Sequence, residues 1–468
     1  MFRSVTNYFS EFKVLKSVSK DFWLVNVIQF FDSLAYFSMI TILTLYLTDN
    51  CGFSDMEAGA WTGIFTLFVT VFVLAVGSIC DVIGISRSFT MGIGALILSR
   101  LGLGVAPLFL KGEALRLAVQ GMLLVMAFGT AFMSPVVNTS LRRFTSKETR
   151  ATGFNMYYLI MNVGAIIAGI GIIDQARDQL GSLTGNLAVL DFGFAMSLIC
   201  MIVAKMVNEN NYANEDERID PSVAQEKRPL QIFAEVWKEK PFQKLVMFLL
   251  LTIGVRLVFT HQFLVMPKYY TRVLYSDFDL GAANSLNPLI IVVGLIIIIP
   301  IINRFSTVSL MIWGMAISAM SLLFMAVPLS WIMALPGINS VTSAYFFIIV
   351  AQILVFAFGE LLFSPRFTEY TASVAPKDKV ASYMSLSALP MFIAKPINGF
   401  VSGLLVSKYS YDGIRAKIDS GNVDYMNSPE WMWMIFFILA LLSPIAVAAM
   451  RKTLTSDNPV PEPAEARG

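Results

Sequence analysis

Charge is what this 468-residue chain has least of. Asp, Glu, Lys and Arg make up 14% of it, where a soluble domain carries about 25%. Histidine occurs once, as His261, which excludes a His-cluster metal site. The three cysteines, Cys51, Cys80 and Cys200, are scattered with no CxxC spacing, so neither a disulfide framework nor a thiolate zinc site is written into the chain. There is no phosphate-cradling glycine loop and no nucleophile with an adjacent base, which removes the common enzyme classes. A net charge of +2 gives no electrostatic footprint for nucleic acid. Residues 1–20 are polar, carry Arg3, Lys13, Lys16 and Lys20, and lack the compact apolar region of a cleavable signal.

What the chain has is apolar surface. It is 56% hydrophobic with a mean hydropathy of +0.68, more than one water-soluble core can hide, so a bilayer is the expected solvent. Apolar runs long enough to span occur at 22–48, 57–80, 88–110, 115–140, 152–173, 186–207, 241–267, 281–302, 307–328, 341–365, 380–406 and 430–450. With the N-terminus inside, the inner connectors carry Arg87, Arg142, Arg143, Lys147 and Arg150, then Arg304, Arg366, Lys377 and Lys379, then Arg451 and Lys452. That bias follows the positive-inside rule and puts both termini in the cytoplasm. The stretch 408–424, with mixed charge, is the exception.

The second half repeats the first. Phe128-Gly129, Pro135 and Lys147 recur as Phe358-Gly359, Pro365 and Lys377, a constant offset of 230 positions, and Ala151 and Ala381 keep it. An internal duplication of apolar helices predicts a repeat-type transporter: an all-α membrane protein with twelve transmembrane helices in two pseudo-symmetric six-helix halves. Residues 1–207 form the first bundle and 241–452 the second. Residues 208–240, charged and Pro-containing, read as a cytoplasmic linker, and 453–468 as a disordered tail.

Two resemblances refine this. Gly77, Asp81, Gly84 and Arg87 stand in the pattern G-x-x-x-D-x-x-G-x-x-R after the second span, which resembles the gating loop of the major facilitator superfamily. Gly153-Phe154 through Tyr157-Tyr158, Asn162 and Gly164–Ile166 resemble the fifth-helix signature of the proton-coupled oligopeptide transporters. Gly129–Pro135, Phe358–Pro365 with Glu360, and Tyr36–Thr48 resemble that family's fourth, tenth and first helices. The fold this implies is the twelve-helix facilitator fold, and the activity is proton-coupled peptide uptake by alternating access. The chain departs from the pattern where the family places charge. Its ExxER box reads Gln29-Phe-Phe-Asp32-Ser33, its fourth-helix Lys is Ser134, and Met161 replaces a smaller residue.

New charges stand inside other spans, and ionisable groups there default to function. Asp32 and Glu360 are the candidate proton carriers. Arg256 and Lys395 are candidate anchors for a carboxylate or phosphate, with Gln29, Tyr36, Tyr157, Tyr158, Asn162, His261 and Asn398 as further substrate contacts. Gly77, Asp81, Gly84 and Arg87 are the gating set. An internal ion pair that only holds the two halves together is the competing reading for each charge, and packing or snorkelling is the favoured reading for Arg100. The expected activity is symport of a small peptide or similar anionic or zwitterionic solute, with proton-driven export of drugs or a metabolite as the alternative. No cofactor beyond the proton gradient and no nucleic acid are expected. The expected partners are protons, the solute and the lipid of the inner (plasma) membrane, around a monomer. The duplication puts Thr130 against Glu360 and Ala165 against Lys395, so the second half is expected to hold most of the binding chemistry, facing Asp32.

Overall fold

A computed structural model describes residues 12–146, 148–211, 213, 238, 240–275, 278–302, 305–374 and 389–452. Most of the expected linker, the tail and the start of the eleventh apolar run (380–388) lie outside these residues. The rest is nearly all helix, in the order the apolar runs predict. The helices are α1 Lys20–Leu45, α2 Asp55–Ile83, α3 Ile85–Phe109, α4 Gly112–Phe144, α5 Arg150–Ile167 and α6 Gln175–Ala204. They continue with α7, broken into Lys240–Leu251 and Ile253–Leu264, then α8 Leu280–Ile302, α9 Thr307–Ala326, α10 Val341–Val374, α11 Leu389–Tyr409 and α12 Pro429–Ala449. Among the described residues, eight stretches are long and apolar enough to cross a membrane unaided, the 53-residue Thr152–Ala204 among them. The two pieces of α7, bent by 50° at Thr252, make a ninth when taken together. Inside Thr152–Ala204 the chain turns at Gly181, at φ +76°.

Local chemistry sets the helix ends. Ser54 accepts from the Glu57 amide while the Glu57 carboxylate accepts from the Ser54 amide, a reciprocal cap for α2. Ser306 and Ser428 cap α9 and α12. Three π-helical turns, Tyr46–Asn50, Ala168–Asp174 and Tyr270–Leu274, extend α1, lead from α5 into α6, and follow α7.

The chain divides into two compact units. One holds the described residues within Met1–Lys227 together with Asp279–Leu289; the other holds those of Arg228–Phe278 and Ile290–Gly468. A clean division at the linker does not anticipate the docking of 279–289 with the first unit. The reason is local. Asp174 accepts from the backbone amides of Gly281 at 2.7 Å and Ala282 at 2.6 Å, meeting the unpaired donors at the start of α8. Ser285 donates to the Ile166 carbonyl at 2.9 Å.

Within each unit the repeated Phe-Gly pair does the same packing task. A Cβ on Gly129 would fall 2.8 Å from the Gly92 carbonyl oxygen, and one on Gly359 would fall 2.8 Å from the Gly314 carbonyl oxygen. Glycine lets α4 close on α3, and α10 on α9, as small residues do in membrane bundles. The second unit's core gathers Phe242, Phe248, Met311, Met315, Phe363 and Phe367.

Candidate functional site

The first unit buries an ion pair. Asp32, midway along α1, meets the guanidinium of Arg100 from α3 at 3.3 Å, with the two side chains 13% and 2% exposed. Arg100 also donates to the Ser197 hydroxyl of α6 at 2.5 Å. Ser197 in turn donates to the Gly193 carbonyl, so the pair is braced across three helices. The Tyr157 hydroxyl of α5 is hydrogen-bonded to Ser134 of α4 and lies within electrostatic reach of Asp32. Arg100 packs inside the unit rather than snorkelling, and its partner is the candidate proton carrier. Its place in the third span gave no sign of this, because the contact joins residues 68 positions apart.

The other expected contacts on α1 and α5 are used within their own helices. Gln29 donates to the Ser33 hydroxyl at 2.9 Å, and Asn162 donates to the Tyr158 carbonyl at 2.8 Å. Tyr36 packs edge-on against Phe37. Each bond uses one of the two N–H donors of its amide.

The second unit arranges its charge differently. Arg256 of α7 lies over three aromatic faces, at 4.5 Å from the Phe367 ring, 4.8 Å from Phe363 and 5.4 Å from Phe259. Rings present negative faces to a cation, and desolvation strengthens the attraction. Glu360 of α10 is the carboxylate close enough to act on it electrostatically. Lys395 is half-buried on α11, and among the described residues no acid pairs with it. Asn398, one turn on, donates to the Thr260 hydroxyl and weakly to the Leu257 carbonyl. It ties α11 to α7, and a buried Asn398 carbonyl oxygen is left without a partner.

His261, another expected contact, is enclosed by aromatic side chains. It is 1% exposed, with its ring 3.9 Å from Phe436 and 5.8 Å from Trp433, both on α12. His261 therefore contacts the last helix. Helical phase places it 140° from Arg256, but phase alone does not say which neighbour that face meets. A surface groove of about 510 Å³ between Leu274, Tyr275 and the start of α10 has none of the buried charges in its lining.

In the gating loop, Gly84 links α2 to α3 at φ +85°, a conformation only glycine takes without strain. A Cβ there would meet the Glu209 carboxylate at 2.8 Å. That carboxylate accepts from the Ser86 amide at 3.0 Å, an anion at a helix N-terminus. Glu209 is held by Arg143, which donates to its carbonyl at 3.1 Å. Arg87 is exposed. The side chains of Gly77 and Asp81 lie outside the described residues. Among the described residues, Glu209 is the acid that serves this loop, from 125 positions further along the chain than Gly84.

Comparison with known proteins agrees with this architecture. A Dipeptide and tripeptide permease A of Chromobacterium violaceum is 25% identical over 192 residues, 39% of this chain. The match spans about a third, 35%, of that relative's length. Among solved structures, a peptide transporter POT in complex with sulfate matches with a TM-score of 0.70 at 15% identity, covering 93% of this chain and 95% of the other. A POT family transporter in complex with 5-aminolevulinic acid matches with a TM-score of 0.68 at 15% identity, over 93% and 96%. The POT family transporter PepTSo matches with a TM-score of 0.69 at 16% identity, over 94% and 99%. These likenesses are of fold. The family model described as Major Facilitator Superfamily matches residues 25–335, and the chain belongs to that superfamily of multi-pass membrane transporters.

Proposed function

We propose that the chain is a proton-coupled symporter of a small peptide or another anionic or zwitterionic organic solute. It works as a monomer in the plasma membrane with both termini cytoplasmic, and draws on the proton gradient alone. The observation that carries this reading is the buried Asp32–Arg100 pair. An ionised pair out of water is costly to keep and costly to break, and a proton on Asp32 breaks it without moving an atom of the chain. Arg256, with Glu360 beside it, offers a second carboxyl and a cation whose planar fork suits a carboxylate. The named relative, a dipeptide and tripeptide permease, and the neighbour solved with 5-aminolevulinic acid support a solute that carries both an amine and a carboxylate.

The test uses reconstituted protein and two probes, alanyl-alanine and 5-aminolevulinic acid. An inward proton gradient is expected to drive accumulation of at least one. Asp32→Asn or Glu360→Gln is expected to abolish gradient-driven accumulation while sparing exchange. Gradient-driven uptake that survives intact in both variants sinks the reading. Acceleration of probe loss by an opposed gradient assigns export instead.

A further inference from the structure

The second unit contains a file of buried polar groups that the transport reading does not use. It begins at Glu430, in the first turn of α12, which accepts from the Tyr345 hydroxyl at 2.8 Å. Tyr345 stands edge-on to Tyr269 at 6.2 Å, and Tyr269 edge-on to Trp433 at 5.4 Å. Trp433 stands edge-on to His261 at 5.8 Å. All five side chains are nearly or wholly buried. Yet both nitrogens of His261, the Tyr269 hydroxyl and the Trp433 indole nitrogen have no hydrogen-bond partner among the described residues.

Each such group costs about 1–3 kcal/mol if nothing satisfies it, and folds rarely leave several together. Water resolves this where two to four polar groups converge on it. Here the groups are complementary. The indole and phenol donate, the imidazole does both, and the Glu430 carboxylate accepts. No Lys or Arg among the described residues forms an ion pair with Glu430; its neighbours are Ser428, Tyr345, Tyr269 and Tyr425. Arg415, which acts electrostatically on Tyr345, is committed elsewhere. It donates to the Val273 and Leu274 carbonyls, Thr342 and Asp419.

We propose that Glu430, Tyr345, Tyr269, Trp433 and His261 line a hydrated proton-binding site, in which water carries protons between the Glu430 carboxyl and the His261 imidazole. The protonated carboxyl gives its proton to a bridging water, and that water passes one of its own to an imidazole nitrogen. The outcome is a carboxylate, an imidazolium and the water unchanged. Trp433, a donor only, anchors water without relaying. The file runs from the first turn of α12 to His261 in the last turn of α7. It goes beyond the transport reading, because it can be read on purified protein with no solute present.

Two measurements on the full chain in lipid nanodiscs test it. Hydroxyl radicals made from bound water by an X-ray pulse label adjacent side chains. Tyr269 is expected to be oxidised several-fold faster than Tyr46, which is equally buried but donates to the Leu103 carbonyl. Labelling of Tyr269 no faster than Tyr46 overturns the hydrated site. In infrared difference spectra between neutral and acidic pH, a carboxylic-acid band is expected that Glu430→Gln removes and His261→Gln shifts. Tyr269→Phe keeps the ring packing and is expected to shift the same band. A band untouched by Glu430→Gln, or unmoved by both His261→Gln and Tyr269→Phe, overturns the relay.

Discussion

Arg100 of the first unit is buried and Arg256 of the second is half-buried, and the two guanidiniums are neutralised by different means. Arg100 is held by a carboxylate and a hydroxyl; Arg256 is held by three ring faces with a carboxylate nearby. The first arrangement is directional and brittle, since its geometry needs both partners ionised. The second is broad, because an aromatic face tolerates shifts of position that a hydrogen bond does not. On the proposed reading, titration belongs to the first unit and solute anchoring to the second.

The largest expected effect comes from breaking the brittle arrangement. Arg100→Met leaves Asp32 buried and unpaired, which is expected to cost about 3–5 kcal/mol, read as lowered thermal stability in detergent. Adding Asp32→Asn to Arg100→Met is expected to restore most of it. If the single variant melts like the parent, the pair is not the first unit's electrostatic keystone. A smaller loss follows Arg256→Lys, which keeps the charge but forfeits the flat stacking on Phe363 and Phe367. About 1–2 kcal/mol of cation–π attraction is at stake, and thermal unfolding beside Arg100→Lys ranks the two.

Next in size is Gly84→Ala. The positive φ costs about 1–2 kcal/mol for a residue with a Cβ, and the new methyl also crowds Glu209. Glu209→Gln removes only the charge at the start of α3, about 0.3–1 kcal/mol. The expected order in thermal melts is therefore Gly84→Ala below Glu209→Gln. The smallest contrast lies between caps. Ser54→Ala and Ser428→Ala each remove one N-cap worth about 1 kcal/mol. Ser54 also closes a reciprocal pair with Glu57, so its replacement is expected to lower the melting point further.

Much of this was legible in the chain because hydrophobic length is local. Each apolar run falls on a helix wherever its residues are described, and the repeated Phe-Gly marks the same helix contact twice. The turn at Gly84 was legible for the same reason: a short-range steric need selects the residue. What was hidden depends on partners far off in sequence. Nothing around Arg100 or Asp32 says that α3 brings one to the other. His261 stands in a span that also carries Arg256, and one-dimensional spacing cannot tell a face turned to α12 from one turned to a solute. The break of α7 at Thr252 escaped notice because no proline marks it. Gly254 comes close to the Leu439 carbonyl there, at 2.7 Å from where a Cβ would stand.

The Asp32–Arg100 pair has a further consequence, in volts. As ionised partners the two sum to zero, so a conformational step that carries them through the membrane field together moves no net charge. Adding a proton leaves one positive charge on the pair, and each elementary charge that crosses the full field gains or loses about 2.3 kcal/mol per 100 mV. If Asp32 carries the coupled proton as proposed, the same pair that holds α1 to α3 makes the proton-loaded step sensitive to membrane potential and adds nothing to the voltage dependence of the proton-free step.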